Sequence, residues 1–149
     1  MLLHPKAERV YKITYANRFG KAYPRIDGQP TFQDATPLEY LVRLLLCNEV
    51  FGDEIRLEQV VLDDEGDVRV VTSQPLIVGA QPTEAEVHSY LFGIGFEPVE
   101  AVDGVPMTND WYRENDGVMV FDAHGGNFIQ TPEGHVLPID IYVEQVGHG

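Results

Sequence analysis

The alternation of apolar and polar positions changes period several times along the chain, and each change marks an element. Arg9-Val10-Tyr11-Lys12-Ile13-Thr14-Tyr15 alternates with period two. A strand here puts Val10, Lys12 and Thr14 on one face and Tyr11, Ile13 and Tyr15 on the other. Residues 16–35 hold Gly20, Pro24, Gly28 and Pro30 and read as a long loop. At Thr36 the period becomes helical. Thr36 is placed as N-cap, and Pro37 takes the first helical position, where its missing N–H breaks no bond. Glu39 stands where a carboxylate reaches back to the cap's N–H. Leu38, Leu41, Val42 and Leu45 follow at helical spacing, and Gly52 with Asp53 ends the element.

Beyond it, Ile55 to Leu62 and Val68 to Thr72 flank Asp63-Asp64-Glu65-Gly66-Asp67, which predicts a β-hairpin. Thr83-Glu84-Ala85-Glu86 predicts a second capping box and a helix running to Leu91 or Phe92. Gly93-Ile94-Gly95-Phe96 is a fragment of a glycine-rich nucleotide pattern, but it follows a helix rather than a strand, so it reads as a helix end. The last third predicts two more hairpins. One pairs Asp110–Arg113 with Val118–Phe121, and the other pairs Asn127–Gln130 with His135–Pro138. The sum is an α+β chain.

Length and composition narrow the picture. A chain of 149 residues with 44% apolar residues suits one globular domain. A net charge of −14 argues against a nucleic-acid or anionic-membrane partner, and a bound polyphosphate would need a local cation or Mg²⁺. Cys47 stands alone, inside an apolar run, and reads as a buried, inert thiol. With no signal-like opening and no bilayer-length apolar stretch, the expected location is cytoplasmic. Trp111, Tyr112 and Phe121 read as core, and His4, His88, His135 and His148 as surface.

Candidate chemistry concentrates in Val118–Val143. Asp122 ends one strand, Asn127 opens the next, and Asp140 follows the hairpin that Asn127 begins. Because a hairpin returns its chain to where it started, Asn127 and Asp140 are expected side by side. Two oxygen-donor side chains at one edge suit Mg²⁺, which takes few protein ligands and fills its remaining positions with phosphate oxygens and water. His124 lacks the partners of a zinc set and is expected to orient the loop or Asp122. Gly125 and Gly126 supply backbone freedom whatever the loop's purpose.

Asp122-Ala123-His124-Gly125-Gly126-Asn127 resembles the catalytic loop of the protein-kinase superfamily, in which an Asp precedes a metal-binding Asn by five positions. The His and Gly positions look like the aminoglycoside and choline phosphotransferase branch, in which a short hairpin and a second metal-binding Asp follow. Asp140 matches that Asp. More narrowly, the chain resembles the kinase-like domain of polyvalent proteins of bacterial mobile elements and phages.

The resemblance implies ATP and Mg²⁺ as cofactors, with Asp122 and His124 catalytic and Asn127 and Asp140 holding the metal. It further implies Lys12 at the phosphates, Glu39 as its ion-pair partner or only as a capping residue, and a hinge including Gln74, Leu76 and Ile77 that receives the base. The acceptor, protein or small molecule, is not implied. The expected architecture is a reduced protein-kinase-like core: a small β-rich lobe with one helix (1–73), a hinge-like segment (74–82), and a truncated second lobe of one helix and β-hairpins (83–149).

The departures from the family pattern set the alternatives. Residues 1–8 are too few for the two strands and glycine-rich loop that precede the lysine strand in kinases, and no glycine precedes Gly20. The later large-lobe helices are also missing from the sequence given, which stops nine residues after Asp140. An active phosphotransferase and a catalytically inactive kinase-like binding module both remain open, as does a structural α+β domain without a nucleotide site.

Overall fold

A computed structural model describes residues 8–20, 33–99 and 109–146 in full, and the backbone of residues 21–22, 25–26 and 29–30. It divides into two units, Met1–Leu76 and Ile77–Gly149. His4, Pro24, Gly28 and His148 lie outside the described residues.

In the first unit, β1 (Arg9–Ile13) is followed by four two-residue strands: β2 (Lys21–Ala22), β3 (Arg25–Ile26), β4 (Gln29–Pro30) and β5 (Gln33–Asp34). Then come α1 (Pro37–Phe51), β6 (Arg56–Leu62) and β7 (Val68–Pro75). The 55–72 hairpin forms as the sequence predicts, and β7 lies at the centre of an antiparallel sheet of order β1-β7-β6. Its central place explains why Val70, Thr72 and Ser73 are buried, whereas β6, at the edge, is largely exposed. A charged residue opens β1 inside the fold because its donors are satisfied. Arg9 Nε donates to Ser73 Oγ at 2.9 Å and its guanidinium to the Ser73 carbonyl at 3.1 Å.

Residues 16–35 are not the plain loop that their prolines and glycines suggest. β2 pairs with β5 and β3 with β4, so the chain doubles back as a narrow antiparallel ladder. Its strands are too short to show an alternation. Asp27-Gly28, between the paired Ile26 and Gln29, was the available turn signal.

Helix α1 has the ends the sequence specifies. Thr36 Oγ1 accepts the Glu39 N–H at 3.1 Å, and Glu39 Oε1 accepts the Thr36 N–H at 3.0 Å. Gly52 closes the helix at φ 67°, a left-handed conformation glycine adopts without steric cost. Its packing is less obvious from the pattern. Leu38, Val42 and Leu45 are more than half exposed. Tyr40 and Leu41 instead pack on Phe19, Ala35 and Val70, and Arg43 and Cys47 are the buried residues of the helix. Cys47 is thus enclosed, as expected.

The second unit contains α2 (Glu84–Gly93), β8 (Glu97–Pro98), β9 (Trp111–Arg113) and β10 (Val118–Phe121). β11 (Phe128–Gln130), β12 (Val136–Pro138) and β13 (Tyr142–Gln145) complete it. Both predicted hairpins are present, β9/β10 and β11/β12. The sequence reading missed β8 and β13, which add to either side of β9/β10 to give an antiparallel sheet of order β13-β10-β9-β8. Val87, Leu91, Phe96, Trp111, Val118, Val120, Phe128 and Val143 are all at most 2% exposed and form the interior. Each contributes on the order of 1.5–3 kcal/mol of burial. Tyr112 and Phe121 are only half-buried, while His88 and His135 are exposed as expected.

At the start of α2, Thr83 Oγ1 accepts the Glu86 N–H at 3.2 Å. The return arm differs from a full capping box, because Glu86 Oε1 takes the Thr83 hydroxyl proton rather than the backbone one. At the other end Gly95 has φ 94°, and the Phe96 N–H returns to the Leu91 carbonyl at 3.0 Å. The Gly93–Phe96 stretch is therefore a helix terminus that delivers Phe96 to the core. Among the described residues, no helix is long and apolar enough to cross a membrane.

Candidate functional site

Strand β10 delivers Asp122 at its end, and the backbone there leaves the strand conformation abruptly. Asp122 has φ 59° and its neighbour across the ladder, Asn109, has φ 65°, both unusual for residues with a Cβ. The Ala123 N–H donates to the Asn109 carbonyl at 2.9 Å, so the pair of strands is bonded beyond its last regular rung. The turned-out chain then forms one 3-10 turn, Gly125–Asn127, and enters β11.

Inside that turn three side chains hold one another. Asn127 Nδ2 donates to the Asp122 carbonyl at 2.8 Å and to Asp122 Oδ2 at 3.2 Å. His124 Nδ1 accepts the Gly126 N–H at 3.1 Å, which places the proton of the neutral ring on Nε2. Nε2 lies 3.5 Å from Asp122 Oδ1. Nε2 is also 3.2 Å from Asn127 Nδ2, so Asp122, His124 and Asn127 form one contiguous cluster. With both amide protons of Asn127 engaged, its Oδ1 is the atom left for a cation.

The glycines do not make a phosphate cradle. The Gly125 N–H donates to Glu84 Oε1 at 2.9 Å, the Gly126 N–H to His124 Nδ1, and the Asn127 N–H to the His124 carbonyl at 2.9 Å. Every amide of the turn is already bonded within the protein. A phosphate meeting this loop would meet side chains.

Asp140 arrives by the hairpin. Phe128 pairs with Pro138, and one step further the Ile139 N–H donates to the Asn127 carbonyl at 2.9 Å. The return of the chain to Asn127 is thus a backbone bond, and Asp140 is the next residue, exposed. An amide oxygen and a carboxylate, both hard donors, fit a Mg²⁺ ion that completes its shell with phosphate oxygens and water. Among the described residues, no cluster of three or more His, Cys, Asp or Glu side chains could hold a metal by itself.

Two residues beside this site escaped the sequence reading. Asp110 Oδ1 faces the Asp122 N–H at a long 3.5 Å. Burial, and to a smaller degree the charge of Asp122, push its carboxyl above the ordinary value of 3.8. Its signal was the hairpin register, which puts Asp110 next to the strand end that Asp122 follows. Glu84 was read only as part of a helix start, and nothing local in the sequence links it to Gly125.

The remaining candidates belong to the first unit, apart from Ile77, which opens the second and is half-buried. Lys12 is exposed on β1, in register with Thr72. Glu39 is engaged in the α1 capping box through Oε1. Gln74 is in register with Val10 on β7, and the Leu76 N–H donates to the Glu8 carbonyl at 2.7 Å. The Leu76 N–H is thus already bonded within the protein.

A family model described as a serine/threonine/tyrosine kinase found in polyvalent proteins matches residues 8–145, nearly the whole chain. Neither the curated proteins nor the solved structures gave a match.

Proposed function

Because this chain belongs to the family of kinases found in polyvalent proteins, we propose that it transfers the γ-phosphoryl group of ATP to an acceptor hydroxyl with the help of Mg²⁺. The observation that carries this reading is the mutual fixing of Asp122, His124 and Asn127. It prepares one carboxylate in one orientation, as phosphoryl transfer requires, since that chemistry depends on positioning and charge placement more than on covalent steps.

In this reading Asp122 accepts the proton of the acceptor hydroxyl while its oxygen bonds to the γ-phosphorus. The bond from that phosphorus to the bridging oxygen breaks, and ADP leaves. His124 and Asn127 keep the carboxylate from turning away. Asn127 Oδ1 and Asp140 would hold Mg²⁺, which when bound offsets the negative charge of the phosphate oxygens.

Thermal stability with ATP, with and without Mg²⁺, tests the binding half. A ligand at a hundred times its Kd stabilises by about 2.7 kcal/mol. A Mg²⁺-dependent rise in Tm is expected, and Asp140→Ala should remove the Mg²⁺-dependent part. Asp122→Asn should keep the rise but lose turnover by about 10²–10⁴-fold. No rise at millimolar nucleotide refutes the reading, and a rise without turnover in the unmutated protein identifies a binding module instead.

A further inference from the structure

We infer that Glu84 is a positioning residue for the Asp122–Asn127 loop, an inference that rests on the proposed phosphotransferase reading only for its effect on turnover. Glu84 stands at the first position of α2, 41 residues before Gly125, yet its Oε1 accepts the Gly125 N–H at 2.9 Å. The side-chain bonds that cap its own helix are made by Thr83 and Glu86, not by Glu84. Gly125 is buried, and its N–H is the first donor of the turn. Without Glu84 that donor would be left unpaired inside the fold.

The packing at the Cα of Gly125 is close as well. A Cβ there would lie 2.8 Å from the Pro82 carbonyl oxygen, 3.2 Å from Glu84 Oε1 and 3.3 Å from Gln81 Nε2. The same segment is bonded to the following hairpin, where Ala80 and Gln130 exchange backbone hydrogen bonds at 3.0 and 2.7 Å. The stretch leading into α2 therefore holds the loop at Gly125 and the hairpin at Gln130. Glu84 touches no reacting group. It fixes the start of the turn, and the turn presents the Gly126 N–H to His124 Nδ1, which in turn leaves Nε2 facing Asp122.

Glu84→Ala and Glu84→Gln separate this role from simple stability. Gln keeps an oxygen acceptor in the same place, and Ala removes it. Nitrogen-15 NMR of the His124 ring reads the loop directly and needs no substrate. The expected result is one Nε2–H tautomer in the unmutated protein and in Glu84→Gln, and an averaged signal in folded Glu84→Ala. Turnover of ATP should fall about tenfold or more in Glu84→Ala with KM for ATP within about twofold, and Gln should restore it. An unchanged His124 signal in Glu84→Ala overturns the inference, as does undiminished turnover in an active protein. If the unmutated protein turns over no ATP, the phosphotransferase reading fails, and the His124 signal still decides the role of Glu84.

Discussion

Replacing Arg113 with alanine should loosen the unit that carries the candidate site, by an amount that depends on pH. Arg113 holds the end of α2 against the β9/β10 hairpin by three means. Its Nε and Nη2 grip Asp116 at 3.0 and 2.6 Å, its Nη1 donates to the Ile94 carbonyl at 3.1 Å, and its guanidinium lies 4.7 Å from the Phe96 ring centre. The Asp116 side chain is 38% exposed, so the ion pair is screened and contributes about 0.5–1 kcal/mol. A charged donor on a helix-end carbonyl adds about 1–1.5 kcal/mol, and the ring contact about 0.5–1 kcal/mol. Arg113→Ala should therefore cost about 2–3.5 kcal/mol at pH 7.

Arg113 holds the Asp116 carboxyl below its ordinary value of 3.8, chiefly through their hydrogen bonds. For a depressed pKa, the stabilising share is complete above the unfolded-state value and is lost as pH falls through the lower folded one. The gap between unmutated protein and Arg113→Ala should thus narrow by up to about 1 kcal/mol in acid. Trp111 is the chain's single tryptophan and is 2% exposed, so its fluorescence in urea reports on this unit. A gap below about 0.5 kcal/mol at pH 7, or one that does not change with pH, would refute this account of how Arg113 acts.

Burial pushes Asp53 up to about 6, so the folded state binds the extra proton and loses stability as pH rises from the unfolded value of 3.8 through 6. Asp53→Asn should stabilise the first unit by about 1–2 kcal/mol at pH 7 after allowance for solvent screening, with no gain below pH 4, as followed by thermal circular dichroism. Thr36→Ala removes the cap of α1 and should cost about 1 kcal/mol in the same assay. Gly79→Ala would place a methyl group against the Gln130 carbonyl and 2.7 Å from Ile129 Cγ2, and should destabilise the second unit by about 1–3 kcal/mol in the Trp111 assay.

What the sequence shows of this fold is what short-range physics controls. The caps at Thr36 and Thr83, the glycine stop at Gly52 and the three longer hairpins each depend on residues within a few positions of one another. β13 became a strand only by pairing with β10, and β8 only by pairing with β9, through partners that no local pattern announces. The outward turn of Leu38, Val42 and Leu45 was hidden for a related reason. Periodicity identifies a helix, but which stripe faces inward depends on what Phe19 and Val70 offer it. Within the candidate site, Asp122, His124 and Asn127 were legible because they share one loop. Glu84 and Asp110 were not, because each reaches the loop from another element.

The five-residue separation of Asp122 and Asn127 has a geometric cause that the structure makes visible. Asp122 turns the chain out of the strand at positive φ, His124 is extended at φ −89° and ψ 161°, and three residues of 3-10 turn bring Asn127 back. Only at that separation does the Asn127 amide meet the carbonyl of the residue it must hold, at 2.8 Å. Each intervening position is also in use, with Ala123 bonded to Asn109, His124 to Gly126, and Gly125 to Glu84. Removing one residue would leave a donor without its acceptor and turn Asn127 away from Asp122. The spacing is therefore a property of the loop's hydrogen bonding.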